Sequence, residues 1–137
     1  MALLELENLS LSIGNTSILE NITLSLEQGE VMGLVGESGS GKSLTALSTI
    51  GLLPEGSSLT GSVRFDGKEL LPLNSEEMCL LRGDEIAMVF QEPMTALNPV
   101  MTIGDQIAEG LMFHQQINTN EALDLGRTTN VLELDPY

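Results

Sequence analysis

Residues 36–43 read GESGSGKS, and this segment carries the residue types that can hold a polyphosphate. Its three glycines, Gly36, Gly39 and Gly41, allow the backbone to turn so tightly that successive amides point at one centre. Lys42 adds an ammonium that can bridge two phosphates, and Ser43 adds a hydroxyl that can ligate Mg²⁺. The pattern G-x-x-x-x-G-K-[ST] therefore predicts a loop that cradles the phosphates of a nucleotide.

The segments on either side of this loop support the prediction. Residues 31–35, VMGLV, are almost entirely apolar and predict a strand buried on both faces of a parallel sheet. Residues 42–53 have helical spacing and end at LPEG. A Gly/Ser-rich linker would lack such flanks, and a dinucleotide loop of the GxGxxG type would leave Lys42 and Ser43 without a role.

Other segments predict a sheet with short hairpins. Residues 3–13 alternate apolar and polar types, which predicts a half-buried strand with an irregularity near Asn8, paired with the run that follows. Residues 60–73 predict a second hairpin around an Asp-Gly turn. Residues 85–90, EIAMVF, predict a second buried strand.

The chain after this strand is predicted to be irregular and then helical. Two prolines interrupt QEPMTALNPV, residues 91–100, and Thr102 is a suitable N-cap for a helix that follows. The pattern from Asn118 onward favours no particular structure.

Composition limits the possible functions. The formal net charge is -15 with only 5 Lys and Arg residues, which argues against binding to nucleic acid. A single cysteine, Cys79, excludes an internal disulfide, fits a reduced compartment, and is interpreted as a small core residue rather than a nucleophile. No signal peptide and no apolar span of about 20 residues is visible, so we expect any membrane role to act through a partner.

Residues 86–104, IAMVFQEPMTALNPVMTIG, resemble the Q-loop region of ATP-binding-cassette (ABC) ATPases, in particular importers of oligopeptides, dipeptides and nickel. The stretches GKSLTAL, GLLP and TGSVRFDGKEL resemble the same subfamily in order and spacing. The resemblance covers the chain from Leu3 to about Gln115. It implies an α/β P-loop NTPase fold, of which this chain would be the N-terminal half: an antiparallel β subdomain, part of a RecA-like parallel sheet and the start of a helical subdomain.

The resemblance also implies an organisation along the chain. Residues 1–30 and 60–75 would form β hairpins, residues 31–53 and 85–91 the nucleotide-binding core, and residues 92–137 the Q-loop and the start of the helical subdomain.

The resemblance assigns roles to individual residues. Gln91 would contact Mg²⁺ or the attacking water, and Ser43 would ligate the same ion beside ATP. Residues 92–101 would face transmembrane permease subunits, with a second ATPase subunit completing a dimer at the cytoplasmic face of the membrane. From the residues alone, the alternative interpretation is that Gln91 is a solvated amide at a strand end. The residues that would bind the nucleotide are Gly36, Glu37, Ser38, Gly39, Ser40, Gly41, Lys42 and Ser43.

Several parts of the ABC pattern are absent from these 137 residues. No LSGGQ-like signature, Walker B Asp-Glu strand or switch histidine is found, and no aromatic residue lies near Ile13, where adenine would stack. VLELDP, residues 131–136, is interpreted as the helical segment before the signature, and His114 as a surface or interface residue. We therefore expect a chain that holds ATP without efficient turnover.

Two other functions stay open at this point: a non-catalytic nucleotide-binding or interaction fragment, and a non-transport ABC ATPase. If the predicted buried strands lack neighbours, their apolar faces would be uncovered, which predicts marginal stability or association.

Overall fold

The computed structural model describes residues 1–92 and 96–128. The chain forms two compact units, Met1–Cys79 and Leu80–Tyr137. Residues 131–136, which were interpreted as a helical segment, lie outside the described residues. Among the described residues, none of the helices combines the length and apolar character needed to cross a bilayer.

Four strands and four helices form in the described part of the chain. In chain order they are β1 (Ala2–Ile13), β2 (Thr16–Glu27), α1 (Lys42–Ile50), β3 (Ser57–Phe65), β4 (Lys68–Glu69), α2 (Ser75–Leu81), α3 (Ile103–Gln115) and α4 (Thr119–Thr128). The strands form one antiparallel sheet in the order β2-β1-β3-β4. Both hairpins expected from the sequence are confirmed.

A bulge at Asn8 keeps the apolar face of β1 continuous. Leu6 and Leu9 are three residues apart, a spacing that would place them on opposite faces of a regular strand. Asn8 adopts φ 49°, the left-handed region that asparagine tolerates, and the register with β2 and β3 shifts there. Leu6, Leu9 and Leu11 are consequently all buried. The irregularity expected near Asn8 is confirmed.

Gly61 of β3 faces this bulge. A Cβ at Gly61 would lie 2.5 Å from the carbonyl oxygen of Asn8, and its φ of 102° disfavours any side chain. Neighbouring Val63 is fully buried. A glycine therefore allows β3 to approach the bulged strand closely.

A carboxylate network closes the β3–β4 hairpin. The turn at Asp66 and Gly67 has positive φ at both residues, as a tight two-residue hairpin requires. Glu69 accepts hydrogen bonds from the Ser62 hydroxyl and from the Val63 amide at 2.9 Å. Burial by itself raises the pKa of Glu69. The pKa is nevertheless lowered overall, because these two bonds are joined by a bond from the Leu71 backbone and by the nearby Arg64 charge.

Helix α1 follows the loop at residues 36–41 and ends at Ile50, shortly before the LPEG segment that was expected to stop it. Gly51 caps it in the left-handed conformation and donates its amide to Leu47 O. Thr45 and Ser48 are buried polar residues, and their hydroxyls donate to the carbonyls of Gly41 and Leu44 at 2.8 and 2.6 Å. These bonds satisfy hydroxyl groups that would otherwise be costly to bury.

In the second unit, α3 begins as expected from its N-cap. The Thr102 hydroxyl accepts from the Asp105 amide at 3.1 Å. Small residues allow α3 and α4 to pack closely: a Cβ at Gly126 would lie 3.1 Å from Ile107 Cγ2, and Ala108 and Ala122 are buried. Helix α4 lies where the residue pattern alone favoured no particular structure.

The prediction of two buried strands is wrong. Residues 31–35 form no strand. Within residues 85–90, only Ile86 forms a bridge, an isolated one to Arg82. Val31 and Val89 are each 96% exposed. A strand needs a hydrogen-bonding neighbour, and neither segment pairs within the described sheet. The expectation of uncovered apolar residues is confirmed, whereas association of the chain stays a prediction.

The interpretation of Cys79 as a core residue is also wrong, because its side chain is exposed on α2. Met78 and Leu81 supply the buried apolar residues of this short helix instead.

We expect Glu69→Gln to lower the free energy of unfolding by about 1 kcal/mol at neutral pH, because a neutral amide accepts these hydrogen bonds less strongly. Since the folded pKa is lowered, the contribution of Glu69 is complete above the ordinary glutamate value of about 4.3 and is lost as pH falls through the folded value. The difference between variant and wild type should therefore shrink in acid. Chemical denaturation at several pH values measures it. Glu55→Gln, in the loop before β3, is the matched control, and an equal loss there would contradict the role of the network.

Candidate functional site

The loop at residues 36–41 closes around the side chain of Lys42. The ammonium of Lys42 donates to the carbonyl oxygens of Gly36 and Glu37, each at 2.7 Å, and to the Ser40 hydroxyl at 3.0 Å. The Ser40 amide donates back to Glu37 O at 3.1 Å. The positive charge of Lys42 thus lies inside the turn formed by the segment that the sequence predicts to bind phosphate.

Two glycines give the loop its shape. Gly39 and Gly41 have φ values of 81° and 89°, in the left-handed region that side chains disfavour. Gly41 is the N-cap of α1 and has no side chain that could cap the helix. The first amides of α1 have no partners within the helix and carry the positive end of its dipole, which suits them to bind an anion.

Gly41 also joins the loop to the sheet. A Cβ at Gly41 would lie 2.5 Å from Leu19 Cδ2, and Leu19 is a buried residue of β2. The N-terminus of α1 therefore lies against Leu19, and the positive φ of Gly41 disfavours a side chain at this position.

Ser43 lies in the first turn of α1, and its side chain is exposed. Within residues 1–92 and 96–128, no group of three or more His, Cys, Asp or Glu side chains could hold a metal ion. The Ser43 hydroxyl is an oxygen donor of the hard type that Mg²⁺ prefers.

The structure brings together Gly36, Glu37, Ser38, Gly39, Ser40, Gly41, Lys42 and Ser43 in one loop and helix start. Gln91, the remaining predicted site residue, belongs to the second unit and is exposed. Ile13 ends β1 and pairs with Thr16 and Ser57. His114 is half-buried in α3, edge-on to the Phe113 ring at 5.0 Å. The roles of these residues stay predictions.

Gln106 was missed by the sequence analysis and organises the segment before α3. Its side chain accepts from the Asn98 amide at 2.8 Å and donates to the carbonyls of Asn98 and Met101 at 2.9 and 3.1 Å. The Asn98 side chain accepts from Val100 N at 3.0 Å. One amide side chain therefore fixes residues 98–101 against the helix that follows.

Comparison with known proteins identifies the family of this chain. The sequence profile of the family described as ABC transporter matches residues 19–134, more than half of the chain. The chain belongs to the ABC transporter family. The α/β P-loop fold class expected from the sequence is thereby confirmed, and the antiparallel sheet with its helices represents part of that fold.

Curated members of the ABC transporter family are similar to this chain over most of its length. The oligopeptide transport ATP-binding protein OppD of Escherichia coli K12 is 44% identical over 111 residues, which cover 81% of this chain and 33% of the relative. AppD of Bacillus subtilis, described in the same words, is 44% identical over 106 residues, 76% of this chain and 32% of the relative. OppD of Bacillus subtilis is 41% identical over 138 residues, 96% and 38% respectively. The chain therefore spans about a third of the length of these relatives.

We expect Gln106→Ala to release residues 98–101 from α3, because three hydrogen bonds of the side chain are lost at once. Amide hydrogen exchange at Asn98 should become about tenfold faster, which corresponds to roughly 1.4 kcal/mol of local stability. Gln115→Ala, at the exposed end of the same helix, is the matched control. Unchanged exchange at Asn98 in the Gln106 variant would contradict the arrangement.

Proposed function

We propose that this chain is the nucleotide-binding part of an ABC importer subunit, and that it binds ATP with Mg²⁺ through residues 36–43. The observation that carries the proposal is the closed glycine loop, which holds the Lys42 ammonium and leads directly into the N-terminus of α1. The first amides of a helix together with a nearby cation are suited to the phosphates of a nucleoside triphosphate.

The curated relatives support a transport role for the whole protein. Their names describe oligopeptide transport ATP-binding proteins. On that basis the subunit would use ATP to drive import of peptides or related small solutes, as a peripheral protein on the cytoplasmic face of the membrane. A second ATPase subunit and a pair of permease subunits would complete the transporter.

Within this proposal, individual residues have distinct tasks. The Ser43 hydroxyl ligates Mg²⁺, Lys42 neutralises charge on the phosphates, and Gln91 orients water or the metal ion during hydrolysis by the complete enzyme. Residues 92–101 contact the permease subunits, and the hydrogen bonds of Gln106 fix the far end of this segment.

We expect Lys42→Ala to weaken binding of Mg-ATP by about tenfold to a hundredfold, because charge-assisted hydrogen bonds to phosphate are lost. Isothermal titration of the purified chain measures the affinity. Lys68→Ala, on β4, removes the same charge from the only other lysine and should leave the affinity unchanged. Equal affinities for wild type and Lys42→Ala, or equal losses in the two variants, would contradict the assignment of the phosphate site.

A further inference from the structure

The hydrogen bonds of Lys42 leave its ammonium saturated. A lysine ammonium has three N–H donors and no acceptor. Here the loop supplies three acceptors at hydrogen-bond distance: Gly36 O, Glu37 O and Ser40 Oγ. A phosphate oxygen can accept from Lys42 only if one of these three bonds is released.

The three acceptors are not equivalent. The two carbonyl oxygens lie at 2.7 Å and belong to the backbone that defines the turn, so releasing either one requires the loop itself to change. The Ser40 hydroxyl lies at 3.0 Å on a side chain that can rotate about a single bond. The hydroxyl is therefore the acceptor that is easiest to release.

The Ser40 hydroxyl also explains why a glycine stands at position 36. Gly36 is not among the residues with positive φ, so its conformation does not require glycine. A Cβ at Gly36 would instead lie 2.5 Å from Ser40 Oγ and 3.2 Å from Ser40 Cβ. A glycine at this position makes room for the Ser40 side chain beside the ammonium of Lys42.

We propose that the Ser40 hydroxyl is a placeholder acceptor, which Lys42 exchanges for a phosphate oxygen when nucleotide binds. The inference rests on the function proposed above and adds a positioning role for Ser40, which acts through Lys42. The hydroxyl occupies one donor of the ammonium, and its loss makes the cation easier to recruit to phosphate.

The first test needs no nucleotide. Lys42 and Lys68 are the only lysines, so an amine-acylating reagent with peptide mass spectrometry reports the labelling of Lys42 relative to Lys68 within one sample. We expect Ser40→Ala to raise this ratio by about two- to tenfold, the effect of one lost hydrogen bond. Ser58→Ala, an exposed serine of β3, should leave the ratio unchanged. An unchanged ratio in Ser40→Ala would overturn the proposal.

The second test measures binding of Mg-ATP by titration. We expect Ser40→Ala to bind about two- to tenfold more tightly than wild type, because the unbound variant lacks a hydrogen bond that binding would break. In a Lys42→Ala background, the same substitution should have no effect on affinity. A purely structural effect of Ser40 would persist in that background. Weaker binding by Ser40→Ala would mean that the hydroxyl serves the bound state, which overturns the exchange.

The two tests separate this proposal from the function on which it rests. If the labelling ratio rises as expected but the wild-type chain binds no Mg-ATP, the hold of Ser40 on Lys42 stands and the nucleotide-binding function fails. If the wild type binds Mg-ATP and Ser40→Ala changes neither labelling nor affinity, the function stands and the placeholder role fails.

Discussion

The contact between Gly41 and Leu19 supports the phosphate loop, and the rest of the site depends on it. Leu19 pairs with Leu11 of β1, and both are buried in the sheet. Because Gly41 has no side chain, the start of α1 can lie directly on Leu19. A chain of packing contacts thus runs from the centre of the sheet to the residue before Lys42. Support of this kind suits the loop at residues 36–41 to hold donors in place before a ligand arrives.

An acidic protein can bind a polyanion when the attraction is local. The formal net charge is -15, yet the Lys42 ammonium is held within the loop that leads directly into the N-terminus of α1. At physiological ionic strength, charges farther away than about 8 Å are largely screened, so carboxylates beyond that distance have little effect at the loop. Net charge alone therefore does not argue against a local phosphate site.

The sequence predicted those features whose causes are local. The bulge at Asn8, the tight turn at Asp66 and the N-cap at Thr102 each depend on a few neighbouring residues, and each was expected correctly. The strands at residues 31–35 and 85–90 were wrong because apolar character indicates burial but does not supply a hydrogen-bonding neighbour. Helix α2 could have been found, because Asn74 and Glu77 form a reciprocal capping box with both backbone amides.

The residues of the candidate site also divide into those with a local cause and those that depend on the folded structure. The glycine positions and Lys42 could be read from a short motif, since the loop that they form is contiguous. The bonds of Gln106 to Asn98 span eight residues and follow no pattern in the sequence, so they emerged only from the structure. The saturation of the Lys42 ammonium likewise depends on distances that a motif does not contain.

The central claim is that the backbone of residues 36–43 binds the phosphates of a nucleotide. Amide hydrogen exchange of the wild-type chain, measured with Mg-ATP and separately with adenosine, tests this most directly. We expect exchange at residues 36–43 to slow with Mg-ATP and to stay unchanged with adenosine, which carries no phosphate. Equal slowing by both compounds, or slowing with Mg-ATP that spares these residues, would contradict the account.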